Sequence, residues 1–515
     1  MPSKRSLLRS SMVVGLFSFL GSLTGILVEI SIAAHLGLSR SSDAFYIAYT
    51  IPYIITNLIS ATGQFSLVPF FSSFEVEDSG LWRGFSYAVN IVVPGLAFMA
   101  VAGALLSPWL IRLIAPGFTV GQSAASAQLA RWLMFVILPA GLAEIFRSFL
   151  FSQHRFALGS AAGFFRNAMV IGFIVLGFHR YRDASIVMGY FAGYFAQLII
   201  LGGSVLWSFS VRYTLTPRGA GGAFRRLHGA GASQLFAALG WQAVVLVERV
   251  IGSFLPPGTI TALNYGLKIM STIAELLAGS VGTGALPALS RAVAQRAAGA
   301  AQKIVRDTVE ISLALLTPIM VCCLLLAAPI MRLIFQRGSF SAGAADRMAA
   351  IFFLYCLSLL MFSAIRLLTY YLFAYHQMRV FLRISLLYYG ATVALDLLYV
   401  AVFRLGPKGI PLALLTSLTA TCIVIYAQDL ANIRSIFDRA LKILIGKDAV
   451  AALVSAGVIW ALKSWIQAPE RGLPLFFFLC VICGAGCILF GVVLAAWRAI
   501  PLEALWEFWR NPQNG

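Results

Sequence analysis

The stretch "MRLIFQRGSF" at residues 331–340 decides the fold, because it repeats an earlier one, "IRLIAPGF" at residues 111–118. Around these stretches, four residues recur at an offset of about 220: Pro108, Arg112, Ile114 and Gly117 match Pro329, Arg332, Ile334 and Gly338. Two further echoes have nearly the same offset: "LFSQH" at 150–154 matches "LFAYH" at 372–376, and "VPFFS" at 68–72 matches "LPALS" at 286–290. Three echoes at one spacing indicate a duplicated unit.

The composition is that of a membrane protein. Hydrophobic residues make up 60% of the chain, charged residues 11%, and the mean hydropathy is +0.88, whereas about a quarter of the residues in a soluble protein are charged. The apolar residues form about fourteen runs of roughly 20 to 28 residues, long enough to cross a bilayer of roughly 30 Å as helices. The runs lack the alternation of a transmembrane barrel. We therefore predict an all-α polytopic membrane protein with about fourteen transmembrane helices.

The duplication predicts how these helices are grouped. Each copy contains six runs, and because six is even, both copies enter the membrane from the same side, as parallel repeats. We predict a six-helix bundle at residues 1–210, a second bundle at 211–430, and two additional transmembrane helices with a cytoplasmic tail at 431–515. Two facing bundles leave a cleft that opens to each side in turn, which is the layout of an alternating-access transporter.

The net charge of +19 has a topological explanation. Most Lys and Arg residues lie in alternate loops, and the side that carries the N-terminus holds roughly twice as many as the other side. This bias predicts that both termini are cytoplasmic. A nucleic-acid partner would need a soluble basic domain, and no loop is long enough to fold one. The seven cysteines lie in predicted spans and imply no disulfide framework.

Ionisable residues inside spans are costly, so they indicate where function lies. Glu144 and Arg147 stand one turn apart and admit two interpretations, mutual neutralisation or a role in the cleft. Arg166 and Arg366 have no obvious local partner, which favours a position facing a cavity. Asp43 opens the second span, and we interpret it first as an N-terminal cap.

Two acids deep in spans suggest a coupling ion. Asp396 lies one turn after Thr392, and Thr416 occupies the neighbouring span, while Glu248 lies in a span of its own. Carboxylate, hydroxyl and carbonyl oxygens suit a hard cation or a proton, so sodium or proton coupling is a hypothesis; the alternative is that Glu248 pairs with Arg249 or another cation. No other cofactor is predicted. There is no Gly-rich phosphate loop with Lys and no metal-ligand cluster in the sequence, so we predict a protein that is not an enzyme.

Several stretches, taken in order, resemble the MurJ (MviN) family of the multidrug/oligosaccharidyl-lipid/polysaccharide exporter superfamily. The resemblance covers most of residues 12–430 and rests on five stretches: "SDAFYIAYTIPYIITNLISATGQFSLVPFF" (42–71), "APGF" (115–118), "VERVIGSFLPPGTITALNYGLKIM" (247–270), "ALPALSR" (285–291) and "IFQRGSFS" (334–341). It implies two six-helix bundles plus two helices that form a lipid groove. It also implies a flippase of the bacterial inner membrane that moves an undecaprenyl-diphosphate-linked saccharide, lipid II or a related glycan precursor, to the periplasmic leaflet.

The resemblance carries over to particular residues. Asp43 matches the acid of the family's "DAF" motif, and Lys268, in "NYGLK", stands where the family usually has the arginine of "YADR". Glu248 matches the acid of "VDR" and, with Thr392, Asp396 and Thr416, falls where some members bind sodium. Glu29 retains the acidic residue that the family has at this position of the first helix. We expect the head group to bind the following residues, some at family positions and some chosen as other ionisable residues of the spans: Lys268, Arg147, Arg249, Arg366, Glu29 and Asp43.

This chain departs from the family at several cations. Family arginines of the first two helices are replaced here by Ser22, Val28, Thr56 and Asn57. Lysine in place of arginine at position 268 also forfeits bidentate phosphate contacts. Two alternatives to a saccharide flippase therefore stay open, a cation-coupled exporter of small drugs and a non-transporting scaffold. Expected partners are the lipid-linked saccharide, membrane lipid and other proteins of cell-envelope biosynthesis.

Overall fold

The computed structural model describes residues 4–74, 79–215, 232–430, 434, 439–466 and 468–497. The basic loop residues Arg218, Arg225 and Arg226 and the C-terminal tail after residue 497 lie outside this part. The described chain is helical and contains thirteen helices long and apolar enough to cross a membrane, or up to fourteen when a pair bent by 45° counts as one span. This confirms the predicted all-α polytopic membrane fold.

The chain divides into two compact units, Met1–Thr261 and Ala262–Gly515. A π-helical turn at Gly63–Leu67 joins α2 to α3, and a 3₁₀ turn at Met134–Val136 joins α5 to α6. The helices that begin in the first unit are α1 (Lys4–Leu36), α2 (Arg40–Thr62), α3 (Val68–Ser72), α4 (Ser79–Ile114), α5 (Val120–Leu133), α6 (Ile137–Ser152), α7 (Phe156–Tyr181), α8 (Asp183–Ser208), α9 (Ala232–Ser253) and α10 (Thr259–Ala274).

The second unit continues from α10 through a π-helical turn at Glu275–Gly279. A second π turn, Leu398–Val402, ends α16, and a 3₁₀ turn at Gly406–Lys408 precedes α17. The remaining helices are α11 (Ser280–Ala294), α12 (Ala298–Leu325), α13 (Ala327–Phe335), α14 (Ala342–Leu357), α15 (Leu359–Ala374), α16 (Met378–Leu397), α17 (Gly409–Ala427), α18 (Arg439–Trp465) and α19 (Gly472–Ala496).

Each unit has an apolar core of its own. In the first unit, the aromatic rings of Phe71, Trp82, Phe85 and Phe149 pack between α3, α4 and α6, with centroid distances from 5.4 to 6.2 Å. In the second unit, α12 and α13 pack against α18 and α19 around buried aliphatic residues such as Ile459. Because both cores consist of packed side chains from several helices, they hold the polar groups described below in fixed positions.

The sequence echoes correspond to repeated helix ends. His154 and His376 end α6 and α15 with positive φ angles of 57° and 54°. In both, the amide after the histidine donates to the carbonyl five residues earlier at 2.9 Å, which is the pattern of a Schellman cap. Likewise, Thr119 and Ser341 are the N-caps of α5 and α14. The two units thus repeat these local structures at the spacing of the sequence echoes, whereas the boundaries at residues 210 and 430 stay a prediction.

Candidate functional site

An aromatic stripe runs along one face of α2 in the first unit. Phe45, Tyr49 and Tyr53 are spaced four residues apart, so that successive rings lie on one side of the helix. The rings of Phe45 and Tyr49 stack at 6.0 Å with an interplanar angle of 8°, and the rings of Tyr49 and Tyr53 are 5.9 Å apart. Sequence reasoning missed this stripe, although its spacing is visible in "FYIAYTIPY".

Tyrosines of α8 and an arginine of α7 extend the stripe. The ring of Tyr190 lies 4.6 Å from that of Tyr49, and Tyr194 lies near both tyrosines. The guanidinium of Arg166 lies 5.1 Å from the ring centre of Tyr194, a cation–π distance. Together, Phe45, Tyr49, Tyr53, Arg166, Tyr190 and Tyr194 form what we call the Arg166–tyrosine cluster.

Arg166 carries its charge without an acidic partner. Its Nε and Nη2 donate to Oδ1 of Asn167 at 3.2 Å, and among the described residues no carboxylate lies within 4 Å of the guanidinium. The amide of Asn167 in turn donates to the Gly21 carbonyl and the Thr24 hydroxyl of α1. Asn167 therefore orients Arg166 and anchors α7 to α1.

Glu29 lies half-buried on α1 beside α2. Its Oε2 accepts a hydrogen bond from the hydroxyl of Tyr46. Tyr46 is itself buried, and its ring packs edge-on against Phe45 at 5.3 Å. The predicted head-group acid is thus held at the border of the Arg166–tyrosine cluster.

The Glu144–Arg147 pair is a local ion pair. Arg147 Nη2 lies 2.8 Å from Glu144 Oε1 and donates to the Ser60 hydroxyl at 2.7 Å. Glu144 is buried, and the Arg147 side chain is 28% exposed. Of the two interpretations open from the sequence, the structure shows neutralisation within α6, together with a bond to α2.

Asp43 is a cap, but of a different helix from the one expected. Ser39 and Ser42 form the capping box of α2. The Asp43 carboxylate instead accepts from the amides of Gly258 at 2.6 Å and Thr261 at 2.9 Å, at the start of α10. The expectation that Asp43 caps its own helix is therefore wrong. Because Asp43 is 3% exposed, its oxygens are committed to these bonds.

Arg249 and Glu248 lie half-buried on α9. The Arg249 guanidinium donates to the Ile260 carbonyl at 3.3 Å, so that it also contacts the first turn of α10. Arg249 therefore supports the segment that Asp43 caps.

In the second unit, Lys268 and Arg366 differ in their pairing. Lys268 is exposed on α10, and no described carboxylate lies within 4 Å of its ammonium group. Arg366 on α15 forms an ion pair with Glu275 in the π turn. Gly279 makes room for this pair, because a Cβ there would lie 3.0 Å from Glu275 Oε1 and 3.4 Å from Arg366 Nε.

The residues of the predicted ion site fall into both units. Thr392 on α16 and Ser417 on α17 are joined through their hydroxyls at 2.8 Å, and Asp396 is fully buried one turn after Thr392. The Thr416 hydroxyl donates to carbonyls of its own helix. Carboxylate and hydroxyl oxygens of this kind are suitable ligands for sodium or a proton. The hydroxyl of Ser417 is a candidate ligand that sequence reasoning missed. Glu248 belongs to the first unit.

The chain was compared with known proteins. A family model described as "Lipid II flippase MurJ" matches residues 32–481. A relative from Rhizobium meliloti (strain 1021), named "Probable lipid II flippase MurJ", is 26% identical over 499 residues, which cover 93% of this chain and 91% of the relative.

Two solved structures share the fold. One is described as "Lipid II flippase MurJ, inward closed conformation". The match has a TM-score of 0.80 at 17% identity, and it covers 94% of this chain and 98% of the chain of that structure. The other is an inward-facing multidrug resistance MATE family transporter of the MOP superfamily. This match has a TM-score of 0.66 at 12% identity, and it covers 81% of this chain and 95% of the chain of that structure. At these identities the likeness concerns the fold alone.

Proposed function

Because the chain belongs to the MurJ family, we propose that it is a flippase for lipid II or a closely related undecaprenyl-diphosphate-linked saccharide. The observation that carries the proposal is the family match over residues 32–481, which extends through both units. The head group would move from the cytoplasmic to the periplasmic leaflet by alternating access, without chemical conversion.

The cargo explains why such a protein needs polar groups within its spans. A saccharide diphosphate cannot enter hydrocarbon without losing its hydration, a large free-energy cost. Its polyprenyl tail has no such cost and can remain in lipid. The protein therefore needs to shelter only the head group.

Two cations are suited to the diphosphate. Lys268 and Arg166 both lie in membrane spans without a carboxylate within 4 Å among the described residues. Arg147 and Arg366 are each paired with an acid, so their contribution to anion binding is reduced. We therefore rank Arg166 of the first unit and Lys268 of the second, each considered separately, as the first candidates for a diphosphate ligand, ahead of Arg249, Arg147 and Arg366.

The Arg166–tyrosine cluster suits the saccharide. Tyr53 offers a ring face for the C–H surface of a sugar, and tyrosine hydroxyls both donate and accept hydrogen bonds. Tyr53 is 41% exposed, which leaves its ring accessible. In this proposal Asp43 has a structural role, and Glu29 positions the cluster through Tyr46.

For coupling, we propose sodium or a proton at Asp396. Thr392 and Ser417 supply hydroxyl oxygens near it, and Thr416 and Glu248 remain further candidates. For location, we propose the bacterial inner membrane with both termini in the cytoplasm, and membrane lipid and proteins of cell-envelope biosynthesis as partners.

Complementation tests the proposed function. The full-length protein is produced in a bacterium depleted of its own MurJ, and growth is measured. Rescue is expected for wild type, with loss of rescue when Lys268 and Arg166 are both replaced by Gln. A matched control replaces Lys463 and Arg180, which lie near helix ends, by Gln. Failure of wild type to rescue at a normal membrane level would exclude lipid II as cargo, and specific binding of amphiphilic cations in its place would indicate a drug exporter.

A further inference from the structure

A cavity of about 1170 Å³ opens at the turn between α4 and α5 in the first unit. It is separate from the Arg166–tyrosine cluster. Arg112 and Arg131 line it on its polar side, and Leu105, Val120 and Trp132 are among its apolar lining residues. Such a combination suits a ligand with a charged group and an apolar part.

Both arginines keep their positive charge uncompensated. Arg112 and Arg131 are exposed, and within the described ranges neither guanidinium has a carboxylate within 4 Å. The described lining of the cavity contains no acidic residue. A guanidinium binds carboxylate or phosphate through two parallel hydrogen bonds, so two of them on one cavity favour an anion.

The other unit provides an internal comparison. Arg332, the counterpart of Arg112, donates from Nε and Nη2 to the two oxygens of Asp346 at 2.9 and 2.8 Å. When the sequences of the two units are aligned at the N-caps Thr119 and Ser341, Asp346 is aligned with Ala124. Ala124 lines the cavity of the first unit. The second unit thus carries its own carboxylate where the first has a methyl group.

The exposed apolar residues around this cavity favour a position against lipid. Trp109 and Trp132 are 73% and 61% exposed, and Leu105 and Leu113 are exposed beside them. Tryptophan is enriched at the membrane–water interface. An anion that reaches the arginines there is most readily supplied by the headgroup of a membrane lipid.

We propose that this cavity binds the phosphate of an anionic phospholipid of the phosphatidylglycerol class. Arg112 and Arg131 hold the phosphate, and the acyl chains lie along Leu105 and Trp132. The site is independent of the cargo, since it lies at the α4–α5 turn and uses none of the residues proposed to bind the head group.

The test measures lipid binding to the full-length protein in neutral detergent by native mass spectrometry. Phosphatidylglycerol, phosphatidylcholine of the same chain length, and inorganic phosphate are titrated in parallel. We expect phosphatidylglycerol to bind at least tenfold more tightly than phosphatidylcholine, with each arginine contributing about fivefold. Arg112→Gln combined with Arg131→Gln is expected to abolish the preference.

Ala124→Asp is the decisive variant, because it supplies the carboxylate of the second unit and leaves both arginines in place. It is expected to lower the preference for phosphatidylglycerol about fivefold, the contribution of one arginine, because the new carboxylate would pair with Arg112 as Asp346 pairs with Arg332. Arg332→Gln is the matched control and should leave the preference unchanged. An undiminished preference in Ala124→Asp, or a preference that survives in the double arginine variant, overturns the proposal. So does inorganic phosphate that binds as tightly as phosphatidylglycerol, because the site would then be one for a free anion.

Discussion

Asp43 and Thr261 are joined by two hydrogen bonds, although they lie 218 residues apart: Oδ1 of Asp43 accepts from the backbone amide at 2.9 Å and from the hydroxyl at 2.8 Å. The other oxygen accepts from the Gly258 amide. A carboxylate at this place satisfies amides that the first turn of a helix leaves unpaired and interacts favourably with the helix dipole. Asp43 therefore fixes the start of α10.

Replacement of Asp43 by Ala is expected to lower the stability by about 2 kcal/mol, the upper end for the loss of an N-cap, because three donors lose their partner. The measurement is thermal unfolding of the purified protein in detergent. Ser39→Ala, which removes the cap of α2 itself, is the matched control and should cost about 1 kcal/mol. Equal costs for both variants would contradict the expected excess of the three Asp43 bonds over an ordinary N-cap.

Gly279 lets the Arg366–Glu275 ion pair form. Gly279→Ala is expected to be less stable than Gly284→Ala by about 1 kcal/mol, because the new methyl group would displace the partly exposed Glu275 carboxylate from Arg366. Gly284→Ala is the control, since a Cβ there meets nothing within 4 Å; it should be neutral or stabilising by up to about 1 kcal/mol. The measurement is the midpoint temperature of thermal unfolding of both variants. A Gly279→Ala variant as stable as Gly284→Ala would contradict the close approach of a Cβ at residue 279 to the ion pair.

These contacts show what the sequence can and cannot predict. The spans follow from hydrophobic length alone, and the likeness of the chain around His154 and His376 follows from the repeat. The partners of Asp43 and Arg366 do not, because a carboxylate in a span carries no local sign of which distant amide or cation it meets. The tyrosine stripe on α2 is an intermediate case: its four-residue spacing is visible in the sequence, but neutral rings in a span lack the energetic cost by which a charged residue indicates function.

Arg166 is expected to contribute to cargo binding through its charge. Arg166→Gln should weaken binding of an undecaprenyl-diphosphate-linked saccharide by about tenfold, because a hydrogen bond between charged groups contributes roughly 1.5–3 kcal/mol. Tyr194→Phe keeps the ring for the cation–π contact and should cost less than a factor of about three. Arg180, which is exposed and also lies over a tyrosine ring at 5.7 Å, is the matched control. Binding to the purified variants measures the effect, and an equal loss for Arg180→Gln would indicate a nonspecific effect of charge.

Lys268 is expected to tolerate arginine but not glutamine. Lys268→Gln should reduce cargo binding about tenfold, since it removes a charged donor from the diphosphate. Lys268→Arg should bind at least as tightly as wild type, because a guanidinium can make two parallel bonds to phosphate. Unchanged binding by Lys268→Gln would remove Lys268 from the site.

Asp396 is expected to report the coupling ion through stability. A ligand that binds only the folded state stabilises it in proportion to the logarithm of its concentration, once that concentration exceeds the dissociation constant. If sodium binds at Asp396, added sodium should raise the unfolding temperature of wild type relative to added potassium, and Asp396→Asn should abolish this rise. Asp448 is the matched control, because it is also a buried acid and accepts a hydrogen bond from Thr317 at 2.7 Å; Asp448→Asn should keep the full response to sodium. A response that survives in Asp396→Asn would place the ion elsewhere, and wild type that responds to pH but not to sodium would point to a proton.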